Sequence, residues 1–298
     1  MLGATASFPL SGGGLLGAAH LGVLHFLQTR GVRASAIAGT SAGGLIASLY
    51  ALDVPMPSII TLGSKVSRHP ADYFHLNVSG LFHEIWRSTG RPATGLLTSA
   101  HFVNALLRLS PQAKTTAQWL LPTVLTSVDL IKMVPVAFTN VPQATVGSGR
   151  WHVMVQQPLS LAMQATMALP GLFAAPRHQN QVLVDGGTAD TLPIDWAEAL
   201  DPSAFVVAVD VATPVPVQAN SVGLVDVMSR AEAFATDALS RLRAGPTPHL
   251  TIRPDTANTP FFGFADYMRL VRSGWVAMEK AWPTIERHLA ATGPPVSG

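Results

Sequence analysis

The chain has 298 residues, of which 48% are hydrophobic and only 12% are charged, and its formal net charge is +2. It contains no cysteine, which excludes disulfides, zinc–thiolate sites and thiol chemistry. Its basic residues form no cluster and no stripe with interleaved aromatic rings, so nucleic-acid binding is not expected. A charged fraction far below the usual value of roughly 25% indicates either contact with lipid or a large buried core.

The length and the first ten residues are typical of one domain without a targeting segment. We expect a single α/β domain over residues 1–290 and a disordered Pro/Gly/Ser tail over residues 291–298. Met1–Leu10 has no Lys or Arg, whereas a secretory signal begins with a basic region. No apolar run reaches the roughly 18 residues that span a bilayer. A cytoplasmic protein is expected, and both peripheral contact with a membrane surface and export by another route stay open.

Apolar periodicity and turn signals predict strands and helices that alternate at the start of the chain. In chain order they are strand Thr5–Leu10, helix Ala18–Arg30, strand Ala34–Ala38, helix Gly44–Leu52, helix His101–Leu109, strands Thr123–Val128, Val134–Asn140 and Trp151–Val155, helix Leu159–Leu169, strands Gln181–Val184 and Ala204–Val211, helix Val222–Leu242, strand Leu250–Arg253 and helix Phe264–Ala281. This order predicts a three-layer α/β/α fold with a mainly parallel central sheet.

The periodicity breaks down between residues 55 and 98. This segment is rich in aromatic residues and prolines, and no regular pattern of apolar residues runs through it. Long irregular segments in compact domains are commonly functional loops. We therefore expect a lid or a substrate-facing insertion here.

The turn after the second strand reads GTSAG and matches the pattern G-x-S-x-G. Its members are Gly39, Thr40, Ser41, Ala42 and Gly43. A nucleophilic serine needs a tight, strained turn between a strand and a helix, so that its oxygen projects from the edge of the sheet. The string alone is a weak signal, but its position between an apolar strand and an apolar helix favours Ser41 as a nucleophile.

The loop after the first strand contains three consecutive glycines, Gly12, Gly13 and Gly14. Such a loop before a helix offers a cradle of backbone N–H groups, either for the oxyanion of an acyl-transfer intermediate or for a dinucleotide pyrophosphate. Gly12, Gly14 and Gly17 satisfy G-x-G-x-x-G, but a dinucleotide site also needs an acid about 20 residues further on. The first acid is Asp53, so the dinucleotide alternative is disfavoured.

Asp185 follows the strand Gln181–Val184 and precedes two glycines. Because parallel strands carry functional residues at their C-terminal ends, we expect Asp185 and Ser41 to emerge at the same edge of a parallel sheet. Asp-Gly is also a common turn signal, and in isolation that interpretation would be preferred. Combined with the serine turn and the glycine loop, Asp185 is a candidate base for Ser41.

A histidine that completes a triad would follow the acid in the chain order of α/β-hydrolases. His249 and His288 are the histidines after Asp185, and neither lies in a glycine-flanked loop. We expect packing or surface roles for both. His20, within the first helix, is expected to support the glycine loop. A Ser–Asp–His triad nevertheless stays an alternative.

Together these motifs resemble the patatin-like phospholipase family, over roughly Ala6 to Ala281. The segments that carry the resemblance are the glycine loop through Gly22, GTSAG at Gly39–Gly43, ATMALPGLF at Ala165–Phe173, Asp185-Gly-Gly followed by Leu192-Pro193, and residues 260–274.

The resemblance implies a lipid acyl hydrolase with a Ser41–Asp185 dyad and an oxyanion hole formed by the N–H groups of Gly12, Gly13 and Gly14. It implies lipid or small-ester substrates, an acyl-serine intermediate, and neither a metal nor an organic cofactor. The family usually has Arg or Lys where this chain has Leu16. We therefore expect a substrate range closer to that of an esterase or lipase than a preference for charged phospholipids. A lipid-binding protein without catalysis is a further alternative.

Overall fold

The structure is a computed structural model, and it describes residues 6–78, 94–144, 146, 151–212, 223–244, 247–257, 259 and 263–292. The strands of the described residues are β1 (Ala6–Leu10), β2 (Ala34–Gly39), β3 (His75–Leu76), β4 (Gly95–Thr98), β5 (Thr123–Asp129), β6 (Val134–Thr139), β7 (His152–Val155), β8 (Gly171–Phe173), β9 (Arg177–His178), β10 (Gln181–Asp185), β11 (Phe205–Val209) and β12 (His249–Ile252). The helices are α1 (Ala18–Thr29), α2 (Ala42–Ala51), α3 (Met56–Arg68), α4 (Ala100–Leu107), α5 (Leu159–Thr166), α6 (Ile194–Leu200), α7 (Leu224–Ala244) and α8 (Tyr267–Thr292).

The central sheet is mixed and mostly parallel, with helices on both faces. Its main path is β12-β11-β1-β2-β5-β10-β9, and β6 and β7 extend it from β5. Alternate residues of β11 face opposite ways: Val207 and Val209 join the larger core, whereas Val206 and Ala208 join the smaller one. The larger core includes residues of α1, α2, α5 and α8, and the smaller core includes residues of α6. The predicted three-layer α/β/α fold is therefore confirmed.

The strand β5 determines how the two candidate catalytic residues meet. Along one edge it pairs with β6 over nearly its whole length. Because a strand has only two edges, β2 and β10 share the other one, β2 against residues 123–125 and β10 against residues 127–129. The parallel direction implied for β10 was wrong, because β10 runs antiparallel to β5. Hence β2 and β10 approach each other end to end, and their C-terminal ends meet beside Thr126.

Two long helices, α1 and α8, pack closely over one face of the sheet. A Cβ added at Gly22 of α1 would lie 1.9 Å from the carbonyl oxygen of Val271, and one added at Gly274 of α8 would lie 1.9 Å from that of Ala19. These glycines let the two backbones come nearly into contact. Gly31, with φ of 71°, lies just past the end of α1, where a glycine commonly adopts the left-handed conformation.

The segment 55–98 contains more regular structure than its sequence pattern indicates. Residues 56–68 form α3, and residues 75–76 and 95–98 form strands of a small second sheet in the order β3-β4-β8. Residues 79–93 lie outside the described residues, and the role of a lid stays a prediction. α8 reaches Thr292, two residues into the predicted tail, and residues 293–298 lie outside the described residues. Among the described helices, none combines the length and the apolarity that crossing a membrane requires.

Candidate active site

Ser41 lies on a strained turn between β2 and α2. Its backbone has φ of 54° and ψ of −124°, a conformation that costs free energy for any residue with a side chain. The glycines on either side are required by close backbone contacts. A Cβ at Gly39 would lie 2.5 Å from the Gly43 carbonyl oxygen, and one at Gly43 would lie 2.4 Å from that of Leu10. This is the geometry of a nucleophile turn.

Asp185 accepts a hydrogen bond from the hydroxyl of Ser41, with 2.6 Å between Oγ and Oδ2. Its other carboxylate oxygen, Oδ1, accepts the N–H of Gly187 at 2.8 Å. The residue is only 3% exposed. Burial raises the pKa of Asp185 to about 7, and the hydrogen bonds from Ser41 and Gly187 oppose this shift because they favour the charged form. A carboxyl with this pKa, in contact with a hydroxyl, can accept its proton near neutral pH.

Thr166, the last residue of α5, fixes the serine turn through a hydrogen bond to its backbone. Its Oγ1 accepts the N–H of Ser41 at 2.9 Å and is fully buried. Two residues further on, the carbonyl of Ala168 accepts the N–H of Asp185 at 3.0 Å. One short segment thus positions both candidate catalytic residues. The segment Ala165–Phe173 contributes to the family resemblance, but nothing in its sequence pattern indicates these contacts.

Thr40 connects the serine turn to the segment that follows Asp185. Its hydroxyl donates to the carbonyl of Asp190 at 2.8 Å, so the contact of 2.7 Å with Thr126 is one in which Thr126 donates. Both threonines are fully buried. A Cβ at Gly186 would lie 2.1 Å from Thr126 Oγ1, which shows how tightly the end of β10 meets β5.

Asp190 is a second buried acid near the site. Burial, followed by the negative charge of Asp195, raises its pKa to about 8, whereas Arg243 acts in the opposite direction. The side chain of Asp190 does not reach Ser41, and its carbonyl is the group that contacts Thr40. Asp190 was not a candidate in the sequence, because a lone acid on an unpatterned segment carries no signal of burial.

The glycine loop lies directly against the serine. A Cβ at Gly12 would be 3.3 Å from Ser41 Cβ. The N–H of Gly12 donates to the carbonyl of Thr191 at 3.0 Å, so it is already paired. Gly13 and Gly14 have φ of 146° and 56°, and no acceptor among the described residues binds their N–H groups. These two amides are therefore the available donors of the three.

The close contact between Gly12 and Ser41 also removes support from the dinucleotide alternative. The Gly12 N–H, which a pyrophosphate cradle would use, is already bonded to the carbonyl of Thr191. Leu16, at the position where the family usually has a basic residue, is half-buried and packs against the larger core. No cation of this loop faces the site, since residues 11–17 contain none.

His20 supports the glycine loop as expected. Its Nε2 donates to the carbonyl of Ser11 at 2.9 Å, which fixes the neutral tautomer. Burial lowers the pKa of His20 to about 4, although the bond to Ser11 acts in the opposite direction. The histidines that could complete a triad lie elsewhere. His249 begins β12, and His288 stacks on Phe205 at the start of β11. Both therefore lie at the N-terminal ends of these strands, at the end of the sheet opposite Ser41.

Comparisons with known proteins relate the chain to one family. The family model described as patatin-like phospholipase matches residues 10–197, which include Ser41 and Asp185. Lysophospholipase NTE1 of Scheffersomyces stipitis is 26% identical over 211 residues, which is 68% of this chain and 11% of that protein. Lysophospholipase NTE1 of Mycosarcoma maydis is 26% identical over 219 residues, covering 72% of this chain and 10% of that protein. The chain thus spans about a tenth of the length of these relatives.

Among solved structures, human GIVD cytosolic phospholipase A2 in complex with methyl gamma-linolenyl fluorophosphonate is similar in fold. The TM-score is 0.50 at 13% identity, and the match covers 98% of this chain and 59% of that one. The family match extends over more than half of the chain, and it contains the glycine loop, the serine turn and Asp185. The chain belongs to the patatin-like phospholipase family.

Proposed function

We propose that the chain hydrolyses fatty-acyl esters with Ser41 as the nucleophile and Asp185 as the base. The observation that carries the proposal is the hydrogen bond of 2.6 Å from Ser41 Oγ to a buried carboxylate, made from a strained turn. No histidine is needed in this arrangement. Asp185 contacts the hydroxyl directly, and its raised pKa gives it the basicity that a solvent-exposed carboxylate lacks.

The reaction proceeds in two steps. Asp185 takes the Ser41 proton as Oγ attacks the ester carbonyl, and the alcohol leaves with a proton returned by Asp185. Water, deprotonated by Asp185, then attacks the acyl-serine, and the fatty acid is released as Ser41 regains its proton. The N–H groups of Gly13 and Gly14 stabilise the oxyanion of each tetrahedral intermediate, and such donors are worth about 3–4 kcal/mol each in serine hydrolases. Gly12, bonded to Thr191, holds the loop in place.

The substrate proposed is a lipid ester with a weakly charged or neutral head. The relatives are named lysophospholipases, which supports an acyl ester of a lipid. Because Leu16 stands where the family usually has a basic residue, the glycine loop has no cation for an anionic head group. This supports a substrate range that includes neutral and small esters. Because lipid substrates are held in aggregates or bilayers, we also propose peripheral contact with a membrane surface.

The test is labelling with a fluorophosphonate probe, followed by location of the adduct by peptide mass spectrometry. Native protein should be labelled at Ser41, and Ser41→Ala should not be labelled at all. Asp185→Asn should lose labelling and the hydrolysis of a soluble p-nitrophenyl ester, because Asn cannot accept the serine proton. Asp53→Asn serves as the control, since Asp53 is exposed and lies past the end of α2 that is remote from Ser41.

The two alternatives make different predictions in the same experiment. A folded native protein without any adduct would favour a lipid-binding protein without catalysis. Retention of native turnover by Asp185→Asn would contradict the dyad. A triad would require His249→Ala or His288→Ala to abolish hydrolysis, whereas the dyad predicts that both variants keep it.

A further inference from the structure

The turn between β5 and β6 exposes an unusual set of side chains. Leu130, Ile131 and Met133 are 43%, 62% and 76% exposed, and Lys132 lies between the last two. We call these four residues the apolar tip. Single exposed apolar residues are common on protein surfaces, but three within four positions on one protruding turn are not.

The apolar tip has a fixed conformation. Asp129 is fully buried, and its Oδ1 accepts the N–H of Ile131 at 3.0 Å while its Oδ2 accepts the side-chain amide of Gln181 at 3.1 Å. The N–H of Leu130 donates to the carbonyl of Val182 at 2.9 Å. The exposed side chains are therefore presented by a backbone that is tied to β10, and no ordering is needed before they bind a partner.

The apolar tip lies at the same edge of the sheet as the candidate nucleophile. Ser41 follows the C-terminal end of β2, and β5 runs parallel to β2. β5 continues beyond the point where β2 stops, because Gly39 pairs with Leu125 and β5 ends at Asp129. The turn after β5 thus projects past the nucleophile, on the side from which the serine leaves the sheet.

The exposed charges of the apolar tip and of the hairpin beside it are positive. The turn between β9 and β10 lies beside it, because Val182 contacts both Leu130 and Arg177. Arg177 and Lys132 are exposed. Residues 130–133 and 177–180 contain no acid, and the carboxylate of Asp129 is buried and bonded. An anionic surface is the complementary partner.

We propose that the apolar tip inserts into an anionic lipid bilayer and so places the candidate active site against the membrane. This inference rests on the proposed function, since it supplies a surface for the membrane contact that a lipid substrate requires. A bilayer interface needs no shape complementarity, and aliphatic side chains with adjacent cations are suited to it.

A second copy of the chain fits this surface less well. A stable interface buries about 800 Å² on each partner, which three partly exposed aliphatic side chains on a convex turn do not supply. A symmetric contact would also bring Lys132 and Arg177 towards their own copies, and like charges repel.

The experiment uses the absence of cysteine from the chain. Ile131→Cys is labelled with an environment-sensitive fluorophore and mixed with phosphatidylcholine vesicles that contain phosphatidylglycerol. The matched control is Leu120→Cys. Leu120 is 73% exposed but precedes β5, so it lies at the opposite edge of the sheet. We expect a blue shift of the emission for the label at residue 131 and none at residue 120.

Vesicle flotation provides the second measurement. The double variant I131S/M133S should bind these vesicles at least about tenfold more weakly, because two inserted apolar side chains are lost. K132E should weaken binding to phosphatidylglycerol vesicles, and L120S should bind as the native chain does. All of these variants should hydrolyse a soluble ester at the native rate, because none of the changed residues touches the site.

Equal vesicle binding by the native chain and I131S/M133S would overturn the inference, as would equal blue shifts at residues 131 and 120. The inference would also be overturned if the native chain does not bind vesicles but forms a dimer in analytical ultracentrifugation, and if I131S/M133S is a monomer. Flotation does not depend on turnover. Failure of the proposed function would instead appear as loss of soluble-ester hydrolysis and of fluorophosphonate labelling in the native chain.

Discussion

Asp185 combines two properties that usually exclude each other, since it is almost completely buried and yet must carry a negative charge to act as a base. The Gly187 amide and the Ser41 hydroxyl are the donors that stabilise that charge. They do not compensate fully for burial, and the pKa is raised to about 7. The protonation state of one carboxyl should therefore decide activity within the physiological range.

We expect hydrolysis of a soluble ester to increase with pH and to level off above about 7, because only the charged form of Asp185 accepts the serine proton. The measurement is kcat/KM against pH with a p-nitrophenyl ester at constant ionic strength. A profile that stays flat from about pH 5 to 9 would contradict this role of Asp185.

Thr166→Val should impair the serine turn. It replaces the acceptor of the Ser41 N–H by a methyl group of similar size and leaves a buried donor without a partner, which costs about 1–3 kcal/mol in the free energy of unfolding. We expect a lower kcat with little change in KM. Thr166→Ser keeps the hydroxyl and should recover most of the kcat. If Thr166→Ser is as inactive as Thr166→Val, the hydroxyl is not what matters.

At this scale the sequence predicted the residues with a strong local signature. Ser41 lies between two glycines in GTSAG and Asp185 precedes two more, and the structure brings the two side chains into contact. Thr166 and Thr126 have no such signature, because a threonine in an apolar helix or strand looks the same whether its hydroxyl binds locally or across the fold. Gly12 was expected to be an oxyanion donor, and its bond to Thr191 depends on a contact nearly 180 residues away.

Among the elements, the pair α1 and α8 shows how closely two helices can pack when both carry a glycine at their crossing. Gly22 and Gly274 each face a backbone carbonyl of the other helix. The aromatic rings of Phe26, Trp275 and Trp282 pack edge to face beside this crossing. α1 also carries His20, so the position of this pair affects the glycine loop.

Gly22→Ala should therefore destabilise the chain despite the better helix propensity of alanine. The added methyl would lie 1.9 Å from the Val271 carbonyl oxygen, so the helices must separate, at a cost of about 1–3 kcal/mol. Chemical denaturation measures the change. Gln28→Ala, on the exposed side of α1, is the control and should shift the free energy of unfolding by less than about 0.5 kcal/mol. An unchanged midpoint for Gly22→Ala would show that the crossing is not tight.

The order of strands and helices followed well from periodicity, but the direction of β10 did not. Hydrophobic runs are the same for a strand read either way, and the direction of β10 is decided by its pairing with β5. α3 was missed because its buried face includes Gly63, against which Tyr267 packs. A glycine at that position interrupts the apolar repeat of Met56, Ile59 and Val66 from which a helix could have been recognised.

The molecule as a whole holds several carboxyls in low-polarity surroundings. Burial raises the pKa of Asp185 to about 7 and that of Asp190 to about 8, and it also raises the pKa of Asp195. The folded chain therefore keeps protons that the unfolded chain releases above about pH 4. The opposite shift of His20, to about 4, favours the folded chain as pH rises towards the ordinary value of 6.5.

Between about pH 4 and 6.5 these effects oppose each other, but above about 6.5 only the carboxyls contribute. The free energy of unfolding should then fall as pH rises from about 6.5 to 8. A carboxyl whose pKa is raised in the folded chain stabilises that chain at low pH, and this contribution is lost as pH rises to the folded-state pKa. Thermal unfolding across this range measures it. Asp190→Asn should flatten the decline and Asp53→Asn should not. A melting temperature that rises with pH in this window would contradict the assignment.

The meeting of β2 and β10 beside Thr126 has a consequence for the time at which the chain becomes reactive. Ser41 and its proposed base are 144 positions apart, and Asp185 lies on a strand that joins the central sheet through β5. A polypeptide emerging from the ribosome therefore carries Ser41 long before it carries the carboxyl proposed as its base. Until β10 has been synthesised and has paired with β5, the nascent chain is expected not to hydrolyse the lipid esters around it.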